Sequence, residues 1–181
     1  MDIKTALNTI LDDKELKKAW SVLANSEEES SREIKKLLEN LVNETRSGKK
    51  FESDYIINLL ELTIRFQVKE FSLFESLLND SIFFTDDEGH PILPPEFFSS
   101  VVANAASDID EINGLRLLFF SNDIAPWNKV VIFHAVCLFY SSSIGLENAG
   151  NSVFTESINE RKEKKISFFL EIIKDISDNW N

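Results

Sequence analysis

Apolar residues recur along this chain at intervals of three and four, the spacing that lines them up on one side of an α-helix. Ile3, Leu7, Ile10 and Leu11 predict a first short helix, and Leu16, Ala19, Trp20 and Leu23 a second. Asp12 and Glu15 form a capping pair between them, so Asp12-Asp13 is a tight corner or a kink. Ser26 with Glu29 repeats the capping signature. Ile34, Leu37, Leu38, Leu41 and Val42 then make a clean stripe that ends at Gly48, a natural residue for the position just past a helix. This third helix is expected to be amphipathic and peripheral.

Ser53 opens the longest pattern. Ile56, Leu59, Leu60, Ile64, Phe71, Phe74 and Leu78 share one side, while Tyr55, Leu62, Phe66, Leu73 and Leu77 populate another, which predicts one central helix ending near Asn79-Asp80. Residues 82–95 hold Gly89, Pro91, Pro94 and Pro95 and read as a loop. Ile82 to Thr85 and Ile92-Leu93 leave room for a small hairpin, with Pro91 confining any such strand to an edge. Pro95 suits the first position of a helix bearing Phe97, Phe98, Val101, Val102 and Ala105. Ser107 or Asp108 caps the next, with Ile109, Ile112, Leu115, Leu118 and Phe119, a helix that Gly114 weakens slightly. Pro126 starts the most apolar helix, Trp127 to about Ser142. A polar break at Gly145 to Gly150 precedes a last helix carrying Ile158, Phe169, Ile172 and Ile176. Seven or eight helices with short connections indicate an all-α fold, a bundle or a stack of helical hairpins, in a single domain spanning 1–181. No marker residue recurs at a fixed interval, so nothing supports a solenoid.

Composition sharpens this picture. The 181 residues include 15 Phe, with doublets at Phe83-Phe84, Phe97-Phe98, Phe119-Phe120 and Phe168-Phe169 that demand broad buried faces. Cys137 is the single cysteine, which rules out an intramolecular disulfide. Met1-Asp2-Ile3-Lys4 lacks the layout of a secretory signal, so a cytoplasmic setting is expected. The apolar run Val130 to Tyr140 is about 11 residues against the roughly 20 of a membrane span, and reads as a core helix. Asp and Glu number 31 against 19 Lys and Arg, a formal charge of -12. A surface of that sign is repelled by phosphate backbones and anionic bilayers, which argues against direct nucleic-acid or membrane binding. The one basic cluster, Arg161-Lys162-Glu163-Lys164-Lys165, reads as a solvated helix face.

Candidate chemistry is sparse. Asp86-Asp87-Glu88-Gly89-His90 groups three carboxylates and an imidazole, yet the acids are consecutive and Pro91 sits where a calcium loop needs Gly, so a solvated turn is expected rather than a metal site. His134 and Cys137 lie one turn apart among apolar neighbours, a setting that favours packing over a nucleophile pair. The five Gly form no phosphate-cradling motif. No cofactor, metal or catalytic residue is expected, and the chain is not read as an enzyme.

Three acidic clusters remain: Glu27-Glu28-Glu29 with Glu33, Asp86-Asp87-Glu88, and Asp108, Asp110 and Glu111. Acids in a helix's first turn oppose the positive end of its dipole, which accounts for the first and third clusters but not for the loop acids. Asp86, Asp87 and Glu88, with Phe83, Phe84 and Trp127 as aromatic anchors and Asp108, Asp110 and Glu111 as further acids, are the expected partner-binding residues. In overall character the chain resembles bacterial immunity proteins of the contact-dependent and polymorphic toxin systems: small, acidic, without a catalytic motif, and rich in Asn, Lys, Ile, Phe and Ser. The likeness spans the whole chain as composition, with no motif and no residue roles to carry across. It implies a cytoplasmic inhibitor that binds a basic toxin, for instance a nuclease, and blocks its active site. A helical scaffold with an exposed apolar groove and an enzyme built around convergent titratable groups are the alternatives.

Overall fold

The computed structural model describes residues 1–12, 16–79, 90–106 and 109–149, with positions 170, 171, 174 and 178 of the C-terminal segment. The fold is all-α, and eight helices lie among the described residues: α1 (Ile3–Leu11), α2 (Leu16–Ala24), α3 (Glu27–Arg46), α4 (Ser53–Arg65), α5 (Phe71–Asn79), α6 (Pro95–Ala105), α7 (Ile109–Phe119) and α8 (Pro126–Ala149). α1 packs on α2, α3 and α4, and α3 also meets α2, α4 and α5. α6 joins this group, through α4 and α5, to α8, with which it makes the most extensive helix pair; α7 lies against α8 and α5. One apolar cluster runs through all of them, from Ala6 and Leu7 in α1 to Ala135 and Val136 in α8. Its largest fully buried side chains include Phe74 and Phe98.

The helix starts differ in chemistry. Asp2 caps α1, its Oδ1 accepting the Thr5 N–H at 2.8 Å, a bond that lowers the carboxyl pKa. Ser26 occupies the N-cap of α3 without a side-chain capping bond, so the capping box expected of Ser26 and Glu29 does not form. The chain arrives at Ser26 with φ -143° and ψ 56°, and it is Ser30, one turn later, that turns its hydroxyl inward to donate to the Leu23 carbonyl at 3.1 Å. Pro95 stands at the first position of α6 as its fixed φ predicts. The expected pair Asp12 and Glu15 falls partly outside the described residues, as do Ser107 and Asp108 and most of the 82–95 loop; α1 and α2 are separate helices.

Two helix ends use the same device with different residues. After α3, Gly48 takes φ 92°, its N–H reaching the Thr45 carbonyl at 2.9 Å while the Lys49 N–H reaches Glu44 at 3.0 Å. After α4, Gln67 takes φ 51°, its N–H reaching Ile64 at 3.2 Å while the Val68 N–H reaches Thr63 at 2.9 Å. Both are Schellman closures, in which a left-handed residue folds the chain back onto the last carbonyls. The second overturns the expectation of one helix from Ser53 to Asn79-Asp80. The pattern divides into α4 and α5, because Val68 is 3% exposed and fills the core from the turn itself. α8 departs from expectation in the opposite sense, running through Gly145 to Ala149 where a break was expected. A glycine inside a helix costs only about 1 kcal/mol, which the rest of a 24-residue helix absorbs.

Buried polar groups are accounted for. Ser99, fully buried between α6 and α8, lies 2.6 Å from the Pro95 carbonyl and 3.2 Å from that of Val131. Asn128 donates from Nδ2 to the Leu78 carbonyl at 2.8 Å, fastening the first turn of α8 to the last turn of α5. Thr63 donates to Leu60 at 2.6 Å. Small hydroxyls here let backbones approach while leaving no donor stranded.

The two described glycines whose surroundings are defined should respond oppositely to the same substitution. A Cβ at Gly48 meets nothing within 4 Å, but its φ disfavours any L side chain, so Gly48→Ala is expected to destabilise by about 1 kcal/mol. At Gly114, inside α7, a Cβ would sit 3.5 Å from Glu75 Oε1 in ordinary contact, so Gly114→Ala is expected to stabilise by about 0.5–1 kcal/mol. Urea midpoints at unchanged slope measure both; shifts of the same sign would contradict this account.

Candidate interaction surface

The corner between α7 and α8 is built from a run of apolar residues too dense for one helix face. Leu115, Leu117, Leu118, Phe119 and Phe120 occupy five of six consecutive positions. At about 100° per residue they cannot all point inward. Leu115 and Phe119 take the core at 0% and 5% exposure, which leaves Leu117 78% exposed and Phe120, just past the helix, 37% exposed. The connection then closes on itself. The Ser121 N–H bonds to the Leu118 carbonyl at 3.0 Å, the Asp123 N–H to Ser121 Oγ at 3.3 Å, and Ile124 is buried beneath. The first turn of α8 returns beside the end of α7, with Lys129 Nζ 5.7 Å from the centre of the Phe119 ring. Asn128 is locked inward by its bond to Leu78, so its neighbour Trp127 faces out, 41% exposed.

Leu117 and Phe120 at the end of α7 and Trp127 at the start of α8 are thus exposed on the two sides of this connection, with the exposed carboxylate of Asp123 between the two rings in sequence. Single exposed apolar residues are ordinary, and three large ones within eleven positions make this connection the candidate surface. Trp127 was expected from the sequence as an anchor and is exposed as that role requires. Leu117 and Phe120 were missed, although the unbroken Leu-Leu-Phe-Phe run was a signal that one side had to face out. The Phe119-Phe120 doublet accordingly does not mark one broad buried face: one ring is in the core, and the other meets it edge-on at 5.2 Å and 80°.

Of the remaining expected residues, Asp110 and Glu111 are described, and these two do not gather here. Asp86, Asp87, Glu88, Phe83, Phe84 and Asp108 lie outside the described residues. Asp110 is exposed and Glu111 half-buried in the first turn of α7, at the other end of that helix from Phe120 and Trp127, a separation of about 15 Å at 1.5 Å per residue. Acids also open α3 (Glu27, Glu28, Glu29), α4 (Asp54) and α6 (Glu96), so much of the negative charge is distributed over helix starts. Several basic side chains are engaged within the fold. Lys35 pairs with Glu70 at 2.5 Å and Lys36 with Glu33 at 2.6 Å, while Lys49 pairs with Glu44 and lies over Phe51. Arg65 lies over Trp20, its guanidinium carbon 4.2 Å from the ring centre. No described Lys or Arg pairs with Glu27, Glu29, Asp54, Glu61 or Glu96. Each ion pair takes up one charge of either sign, so the excess of carboxylates remains as a net charge of -12.

His134 and Cys137 are half-buried on α8, with the imidazole 6.1 Å from the Phe133 ring. Burial raises the thiol pKa, which is the opposite of what an activated nucleophile requires. Among the described residues no three His, Cys, Asp or Glu side chains converge on a metal-sized space, and no helix is long and apolar enough to cross a membrane. A raised pKa means a smaller thiolate fraction at neutral pH. Carbamidomethylation of Cys137 by iodoacetamide at pH 7.5 is therefore expected to be slower than that of an unstructured cysteine peptide, with the gap narrowing as pH rises. A rate at or above the peptide's would contradict the assignment.

Comparison with protein-family models, with curated proteins and with solved structures returns no match for this chain.

Proposed function

We propose that this protein is a cytoplasmic inhibitor of the immunity type, which binds a basic protein toxin, such as a nuclease, and blocks its active site. The observation that carries the reading is the division of charge. Glu27, Glu29, Asp54 and Glu96, at the starts of three helices, project into solvent without a basic partner among the described residues, whereas Lys35, Lys36, Lys49 and Arg65 are held in ion pairs or over aromatic rings. With a net charge of -12, long-range attraction accelerates encounter with a cationic surface and rejects acidic ones. A nuclease presents Lys and Arg to phosphates, so an acidic body is a suitable plug for its cleft. Charge supplies the approach; Trp127, Phe120 and Leu117 supply buried anchors once the surfaces meet. A second reading, a helical scaffold that docks a partner through the α7–α8 corner without electrostatic steering, is supported by the same three exposed side chains.

The two readings separate kinetically. The protein captured with its partner from the source cell should accompany a basic protein and abolish its activity. The association rate should fall at least about tenfold between 20 mM and 500 mM salt. Asp86→Lys with Asp87→Lys should slow association and flatten that dependence, whereas Trp127→Ala should act mainly on dissociation, by about tenfold or more. A salt-independent association rate with a strong Trp127→Ala effect would favour the scaffold, and an acidic partner would exclude the inhibitor.

A further inference from the structure

On the other half of the molecule, α2, the start of α3 and the end of α4 enclose a half-open cleft of about 280 Å³ lined by Trp20, Ser21, Ala24, Glu27, Arg65 and Phe66. Its floor is aromatic. The Trp20 and Phe66 rings lie nearly parallel, 3° apart with centres 6.3 Å distant. Arg65 lies over the Trp20 ring. A guanidinium held over an indole at 4.2 Å from its centre still has N–H groups to offer a carboxylate in two parallel bonds. Among the described residues no carboxylate takes that position: Arg65 pairs with none of them, Glu27 of the same cleft included. The cleft thus presents an oriented cation, a separate anion and an apolar surface between helices whose positions are set by the core. It is also smaller than the roughly 300–1,000 Å³ of sites for drug-sized molecules.

The chemistry of the occupant follows from these three features together. The field of a chain with net charge -12 opposes a simple anion, whatever Arg65 offers. A net-neutral ligand escapes that penalty, and a zwitterion satisfies both charged walls at once. We propose that this cleft binds a free amino acid with an apolar side chain, its carboxylate on the Arg65 fork, its ammonium toward Glu27, and its side chain against Trp20 and Phe66. The site is independent of the α7–α8 corner, and the proposal does not rest on the inhibitor reading.

The test titrates the full chain with L-phenylalanine and L-leucine by calorimetry and ligand-detected NMR. Their analogues lacking the ammonium (phenylacetate, 4-methylpentanoate) or the carboxylate (phenethylamine, isoamylamine) run alongside. At least one amino acid is expected to bind saturably, with each truncated analogue about tenfold weaker or more. Arg65→Lys, which keeps the charge but loses the fork, should weaken the amino acid about tenfold. Glu27→Gln should weaken the amino acid but leave the des-amino acid unchanged, a selectivity that a general loss of structure would not produce. Saturable binding by neither amino acid would overturn the proposal. So would equal binding of phenylacetate and phenylalanine, which would make this a plain carboxylate site. Equal binding of N-acetyl-L-phenylalanine would assign the cleft to the C-termini of polypeptides and overturn it as well.

Discussion

The turn at Phe66 to Glu70 is the constraint from which the rest of the arrangement follows. Residues 53–79 carry apolar side chains on two faces, and as one rod they would extend about 40 Å with no way to bury both. The left-handed Gln67 reverses the chain and drops Val68 into the core, so that α5 returns against α3 and α6 while α4 stays between α1, α3 and α6. Lys35 of α3 fixes the new direction by pairing with Glu70 at the foot of α5. The same turn places Phe66 beside Trp20 and points Arg65 back over the indole. A non-glycine residue in the left-handed region costs about 1 kcal/mol or more. Gln67 offsets part of that by donating from its side-chain amide to the Ile64 carbonyl at 3.1 Å.

Surplus negative charge is less of a burden to this fold than its sum implies. Acids in the first turns of α3, α4, α6 and α7 face the positive ends of helix dipoles, each contributing about 0.3–1 kcal/mol, which offsets self-repulsion. Arg46 and Arg65 close α3 and α4 in the complementary sense. The acids are therefore stabilising where they stand and still contribute to the field felt at a distance. The same carboxylates thus serve local stability and the long-range field, and among the described residues they are distributed over several helix starts.

Helix identity was legible where periodicity came with punctuation. Gly48 after the α3 stripe, and Pro95 and Pro126 before α6 and α8, marked ends that the structure keeps. Boundaries failed where the punctuation was missing or misleading. Phe66-Gln67-Val68-Lys69-Glu70 contains neither Gly nor Pro, so nothing in it announced a reversal, because the left-handed residue is one that rarely adopts that conformation. Gly145 looked like a stop yet lies within a helix, since one glycine is a small cost against a long run of backbone bonds. Ser26 had the residue type of a cap but not the hydrogen bond, which depends on the angle of arrival and not on identity. At the candidate surface Trp127 was legible as an aromatic near the start of an apolar helix. Leu117 and Phe120 were not, because periodicity ranks residues by which face they share and cannot say which of two apolar faces has a neighbour.

What distinguishes the α7–α8 corner from a chance exposure of apolar side chains is how firmly it is held. Phe120 leans edge-on against Phe119, whose own ring is fixed in the core, so the exposed ring keeps little freedom to lose. Trp127 stands between Pro126, which fixes the backbone entering α8, and Asn128, whose bond to the Leu78 carbonyl anchors that turn to α5. Ordering a flexible side chain at an interface costs about 0.5–1.5 kcal/mol, and anchors already ordered in the free protein avoid most of it. An aromatic residue on a loose terminus would give the same exposure at higher entropic cost. Here the core that stabilises the fold also fixes the backbone that carries these exposed side chains.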